Sequence, residues 1–194
     1  MTARPPSATL PDMDATAPRN VDRFLADVGS SPRETGVVEL IVRRPAIGER
    51  EVVEEVRLDP VEGVVGDNWL ARGSRSTPDG SANPDAQVTL MSTRVLAAIE
   101  PDRSRWPLAG DQLLVDFDLA IEALPVGTRV AVGGAVIEVS PKPHTGCAKF
   151  SARFGSDALR WMNSPEGRAL RMRGMNARVI RAGSVQVGDV VRRL

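Results

Sequence analysis

One cysteine and one histidine are all that this 194-residue chain carries of the two side chains most used in metal and thiol chemistry. A single thiol excludes an intramolecular disulfide, and one Cys with one His falls short of a four-ligand zinc site. Neither sign of charge is in excess, since 25 Lys+Arg offset 25 Asp+Glu. That balance argues against nucleic-acid binding by bulk phosphate neutralisation, yet it permits a local basic pocket for one small anion. The Trp residues at 69, 106 and 161 are not spaced as a stacking platform for single strands. No apolar run approaches the roughly 20 residues that span a membrane. Residues 1–20 lack a charged start followed by an apolar segment, so no signal peptide is expected. The expected location is the cytoplasm, with the thiol reduced. There is no GxGxxG after a strand and no Walker-type loop, which leaves dinucleotide and P-loop roles without a motif.

What is present is ordinary for a globular domain: 42% of residues are hydrophobic. At this length folding hides about 70% of the unfolded surface, enough for a core without staples. Residues 1–20 are rich in Pro, Ala, Thr and Ser and read as a flexible tail. Asn20 is placed to cap a short helix over Val21 to Val28, with Phe24 and Leu25 on its apolar side and Gly29 ending it. Residues 1–35 are thus expected to be a tail with a helix, and 36–194 the main domain.

Val37-Val38-Glu39-Leu40-Ile41-Val42 reads as a strand, and Glu51 to Leu58 as its hairpin partner beyond the break at Pro45 to Gly48. Asn68 to Asp85 is a run of about 18 residues without periodicity, the kind of loop that often carries function. Asp67, Arg72 and Arg75 there face a ligand or are simply solvated. Gln87 to Met91 is a strand, and Ser92 caps a helix from Thr93 to about Glu100. Strands are expected at Leu113–Phe117, Leu119–Ile121, Arg129–Val132 and Ala135–Val139, the last two joined by a tight Gly133-Gly134 turn. Helices follow at Ser156 to Met162 and after the Ser164 cap, with Gly174 ending the second. Strands at Ala177 to Ile180 and Val185 to Val191 close the chain. About eight or nine short strands with few helices predict a mainly β fold, a small, mostly antiparallel barrel with peripheral helices and no parallel βαβ rhythm. Arg103, Arg105, Arg168, Arg171, Arg173 and Arg192 are expected on the solvated surface.

The chemistry-bearing stretch is Pro141-Lys142-Pro143-His144-Thr145-Gly146-Cys147-Ala148-Lys149-Phe150. Lys142, Lys149 and the start of a helical turn after Cys147 would favour the thiolate needed for nucleophilic or metal-binding work. The competing reading is a buried cysteine acting as a small apolar side chain. His144, three residues away, is either a ligand-facing donor, the acid–base partner of a Cys-His pair, or a hydrogen-bonded structural histidine. No third group completes a cysteine-hydrolase triad.

Several short motifs occur in one order: Gly66-Asp67, Gln87-Val88-Thr89-Leu90-Met91, Gly110-Asp111-Gln112-Leu113 and Leu124-Pro125-Val126-Gly127-Thr128. The Cys147 loop with Lys149-Phe150, Arg173-Gly174-Met175 and Val187-Gly188-Asp189-Val190 complete the series. Over residues 36–194 the chain resembles the MOSC domain, named for the C-terminal region of molybdenum-cofactor sulfurases. The resemblance implies a β-barrel with a reactive cysteine that binds the molybdenum of a pterin cofactor (molybdopterin) or carries sulfur. Stand-alone bacterial members are similar to enzymes that reduce N-hydroxylated compounds. On that resemblance Cys147 is the catalytic residue and metal ligand, and Asp67, Arg75, His144, Thr145 and Lys149 are cofactor contacts. Gly146 stands where relatives often have proline. No aminotransferase-like desulfurase region is present, so the activity would be independent of pyridoxal phosphate. No flavin or iron–sulfur motif is present, so an external electron-donor protein would serve a small-molecule substrate. The alternatives are a non-enzymatic carrier of persulfide sulfur or cofactor, and a barrel that serves only as an interaction module.

Overall fold

The computed structural model describes residues 21–194; the expectations for residues 1–20, including the Asn20 cap, lie outside them. Helix α1 (Val21–Gly29) precedes a long strand, β1 (Thr35–Arg43), which pairs with β2 (Glu51–Val53). The strands β3 (Glu55–Asp59) and β4 (Gly63–Val64) follow, then the short helix α2 (Trp69–Arg72). Next come β5 (Val88–Ser92), α3 (Thr93–Ile99) and β6 (Leu113–Asp116). The hairpin β7 (Arg129–Val132) and β8 (Ala135–Val139) leads to α4 (Ala148–Phe154), α5 (Ser156–Met162) and α6 (Pro165–Ala169). The chain finishes with β9 (Met175–Arg181), β10 (Gly183–Gln186) and β11 (Val190–Arg193).

The main sheet runs β11-β7-β8-β9-β5-β6-β1-β2, and β11 also pairs with β1, which closes seven strands into a barrel. A second sheet, β10-β3-β4, lies beside it. Closure removes the open edges that a sheet of this size would otherwise expose. The mainly β, mostly antiparallel barrel expected from the sequence is the fold observed.

Period-two alternation explains strands that are buried on both faces. Leu90, Leu113 and Val115 point into the barrel core, whereas Met91 and Leu114 point out into a second cluster with Phe150, Phe154 and Met162. Helices α1, α3, α4 and α5 cover that outer face. Phe24 of α1 is buried there, and its ring meets Trp161 edge-on at 4.2 Å.

Four sequence expectations are corrected. Glu51 to Leu58 is two strands: the chain breaks at Glu54, whose carbonyl accepts from Val187 N, and β3 crosses into the second sheet. Val185 to Val191 is likewise two strands, because Gln186 N donates to Asp189 Oδ2 and turns the chain. Leu119 to Ile121 is not a strand, since the Asp118 carboxylate accepts from Ala120 N and holds a turn. The sheet also contains one parallel pair, β5 with β6, joined through α3. The sequence hid this βαβ unit because its connection carries Pro101 and Pro107 and includes a 3₁₀ segment, Arg103–Ala109.

A close backbone approach lies where β10 crosses the β7–β8 turn. A Cβ on Gly183 would collide with the Gly134 backbone and with Ala135 N, which cannot swing aside. Gly183→Ala should therefore lower stability by about 1–3 kcal/mol. Gly29→Ala, with open space around it, should change stability by less than about 0.5 kcal/mol. Urea midpoints of the two variants check both values.

Candidate functional site

Phe150 and Phe154 decide where the lone thiol sits. Four residues apart on α4, they share one buried face with ring centroids 4.7 Å apart. The Arg173 guanidinium stacks over Phe150 at 4.7 Å. With that face pinned, Cys147 becomes the residue before the helix, extended at φ −125°, ψ 173°, and exposed to solvent. The reading of Cys147 as a buried apolar side chain is thereby overturned. Gly146 does not open space for a ligand: a Cβ there would strike Leu159 of α5, so the glycine lets the loop pack on that helix.

Two cavities meet this loop. The larger, of about 830 Å³, is lined by Arg44, Arg50, Arg72, Arg75 and Lys149, and none of its lining residues is an acid. Lys149 follows Cys147 by two residues. On the far side Lys142 Nζ donates to Ser76 Oγ at 3.0 Å, tying the Cys147 loop to the segment that carries Arg75. Burial, then repulsion from Arg153 and Arg44, lowers the Arg50 pKa; burial followed by Arg44 does the same to Arg72. Arg50 Nε and Asn68 Oδ1 are buried without a hydrogen-bond partner among the described residues. Crowded cations and an unpaired donor in an acid-free basin suit an anion with several acceptor oxygens.

Asp67 does not face this basin as a ligand contact. Its side chain is fully buried, bonds Arg44 through both oxygens at 2.8 and 3.0 Å, and accepts from Arg44 N and Trp69 N. It holds Arg44 at the basin wall, which makes it a positioning group. Of the sequence candidates, Arg75 and Lys149 come together in the basin, joined by Arg72. Thr145 is exposed and lines neither cavity. Arg44 and Arg50 were missed; the available signal was a Pro-Gly turn bracketed by arginines on both sides.

His144 lines the smaller cavity, of about 180 Å³. Its Nδ1 lies 3.3 Å from Asp111 Oδ1, and Asp111 Oδ2 accepts from Arg173 Nη1 at 2.6 Å. Asp111 is fully buried, and Arg173 is buried too, also donating to the Ala109 carbonyl at 3.0 Å. Arg171 is half-buried, with Nη1 on the Leu119 and Leu124 carbonyls at 3.2 and 2.7 Å. The expectation that Arg171 and Arg173 are solvated is wrong, because each is drawn inward by acceptors that are distant in sequence. Gly174, at φ +94°, lets the chain pass against the Leu90 carbonyl, which an added Cβ would strike, with His144 Nδ1 next nearest at 3.3 Å. Burial, then the positive charge of Arg173, lowers the His144 pKa to about 4, against the opposing pull of Asp111. Among the described residues no group of three or more His, Cys, Asp or Glu stands together to hold a metal. No described helix is long and apolar enough to cross a membrane.

The fold is a closed β-barrel with a solvent-facing cysteine near an arginine-lined basin. The family profile described as "MOSC domain" matches residues 77–192, and the chain belongs to that family, which is associated with the molybdenum cofactor. Among solved structures the chain is similar to the YuaD protein from Bacillus subtilis at 16% identity and a TM-score of 0.59, covering 81% of this chain and 94% of that one. It is also similar to YiiM from Escherichia coli at 21% identity and a TM-score of 0.52, covering 81% of this chain and 69% of that one. These likenesses show the fold. No curated protein matches the chain.

His144 also makes stability depend on pH. Its folded pKa lies below the ordinary value of 6.5, so the unfolded chain binds more protons between about pH 6.5 and about pH 4. Stability should therefore fall as pH drops through that window, by up to about 3 kcal/mol. Urea midpoints of the protein and of His144→Asn across the window test this; the variant should lose that part of the dependence.

Proposed function

We propose that this chain binds the phosphate-bearing pterin cofactor of molybdenum in the arginine basin, with Cys147 as thiolate ligand to the metal, and reduces N-hydroxylated compounds. The observation that carries the reading is the acid-free basin of Arg50, Arg72, Arg75 and Lys149, which begins two residues beyond the exposed thiol. The residues fit the group. Arginines in a row suit the phosphate, and the unpaired Arg50 Nε and Asn68 Oδ1 suit the hydrogen-bonding edge of a pterin. A lone thiolate is the soft donor that a sulfur-ligated metal accepts. When bound, the cofactor supplies a metal centre able to accept the oxygen of an N–OH group. The protein's own residues do the rest. Lys149 and the arginines hold the anion, Asp67 locks Arg44 at the basin wall, and the Phe150–Phe154 face fixes where the thiol stands.

Reduction of R–NHOH to R–NH2 consumes two electrons and two protons and releases water. An external one-electron donor protein supplies the electrons in this reading, and residues 36–194 house the reaction. In this reading a cytoplasmic location keeps the thiol reduced. The exposure of Cys147 also favours a second reading, in which the thiol carries persulfide sulfur to a partner.

Metal analysis after expression in a cofactor-competent host separates the two. Cys147→Ala should abolish amidoxime reduction while the thermal midpoint stays unchanged. Arg50→Glu combined with Arg72→Glu should lower the molybdenum-to-protein ratio by more than about tenfold. Full activity in Cys147→Ala overturns the reductase reading. A persulfide on Cys147 with no bound molybdenum establishes the carrier instead.

A further inference from the structure

The smaller cavity is built from the Cys147 loop, the end of α5 and the stretch from Gly167 to Asn176. Ile121, Val126 and Met162 give it apolar contact, and Lys142, Arg168, Arg171 and Arg173 surround it with positive charge. His144 brings an imidazole to this wall. Its Nδ1 lies 3.3 Å from Asp111 Oδ1, within reach of its charge but outside hydrogen-bond geometry, and neither buried atom has a hydrogen-bond partner among the described residues. A bare nitrogen lone pair against a buried carboxylate oxygen would be repulsive, so the ring proton sits on Nδ1. Nε2 then keeps its lone pair. It makes no hydrogen bond among the described residues and is not among the ring's buried atoms, on a side chain that is 17% exposed. Burial holds the ring neutral at ordinary pH, so this acceptor persists.

We infer that this cavity is the substrate pocket and that His144 Nε2 is its specificity-determining acceptor, taking an N–H or O–H of a small, uncharged N-hydroxylated compound. Asp111 is the positioning residue that selects the tautomer, itself held by Arg173. The inference rests on the reductase reading for the identity of the substrate. Size supports it: an apolar cavity of about 150 Å³ takes benzene, so about 180 Å³ admits one ring with a small substituent. Charge supports it as well, because the surrounding guanidinium and ammonium groups repel a cation. An acceptor of this kind discriminates against ligands without a donor, which would leave its lone pair unpaired.

His144 is the only histidine of the chain, so nitrogen NMR of imidazole reads a single site. In the full-length, cofactor-free protein at neutral pH, the expected form is the Nδ1–H tautomer. Benzamidoxime, a neutral ring with N–H and O–H donors, should shift the Nε2 signal saturably, and benzonitrile, which has neither, should not. His144→Asn, which removes Nε2, should weaken benzamidoxime binding about tenfold or more at an unchanged thermal midpoint. An Nε2–H tautomer, a signal unmoved by benzamidoxime, an equal shift with benzonitrile, or equal affinity in the variant each overturns the inference. Binding in the cofactor-free protein without turnover in the molybdenum-loaded protein overturns the reductase reading alone.

Discussion

The architecture around the thiol depends on one buried ion pair, Arg173 with Asp111. The guanidinium reaches Asp111 at 2.6 Å and the Ala109 carbonyl at 3.0 Å, and it stacks on Phe150. Through these contacts it joins the entry to β6, the start of β9 and the helix behind Cys147. Such a pair gains little net stability over a well-packed apolar substitute, because both charges give up water. Removing one partner strands the other at a cost of about 3–5 kcal/mol. Its value here is geometric: it fixes three chain segments relative to one another and orients His144.

The Cys147 loop separates two environments of opposite use. One side opens on a wide basin of cations with no acid in its lining, Asp67 pairing Arg44 from behind the wall. The other opens on a cavity with an apolar floor and one neutral imidazole. The wide polar basin suits a group with several anionic oxygens, and the narrow, partly apolar cavity suits a small ring. The thiol lies in the short stretch of chain that links them.

Local signals were read where they are strong. The Gly133-Gly134 hairpin, the Ser164 cap, whose hydroxyl accepts from Gly167 N, and the helix after Cys147 all stand where turn and cap chemistry put them. Failures came where long-range pairing overrode local pattern. The apolar run Val185 to Val191 looks continuous, yet Val185 pairs with Val56 and Val191 with Val132 in different sheets. The arginines followed the same rule. Arg171 and Arg173 resemble their exposed neighbours in sequence, and only their distant acceptors bury them.

The sequence by itself determined that the chain forms a mostly antiparallel barrel and that its lone thiol lies in a loop rich in Pro and Gly. Strand periodicity and a lone thiol in a Pro- and Gly-rich loop are local properties, legible one residue at a time. Tertiary structure alone decided that Asp67 braces Arg44, that Arg44 and Arg50 join Arg75 and Lys149, and that Asp111 faces His144. Those relations lie between residues distant along the chain. Packing density and the satisfaction of buried charge set them, and neither can be summed from a local window.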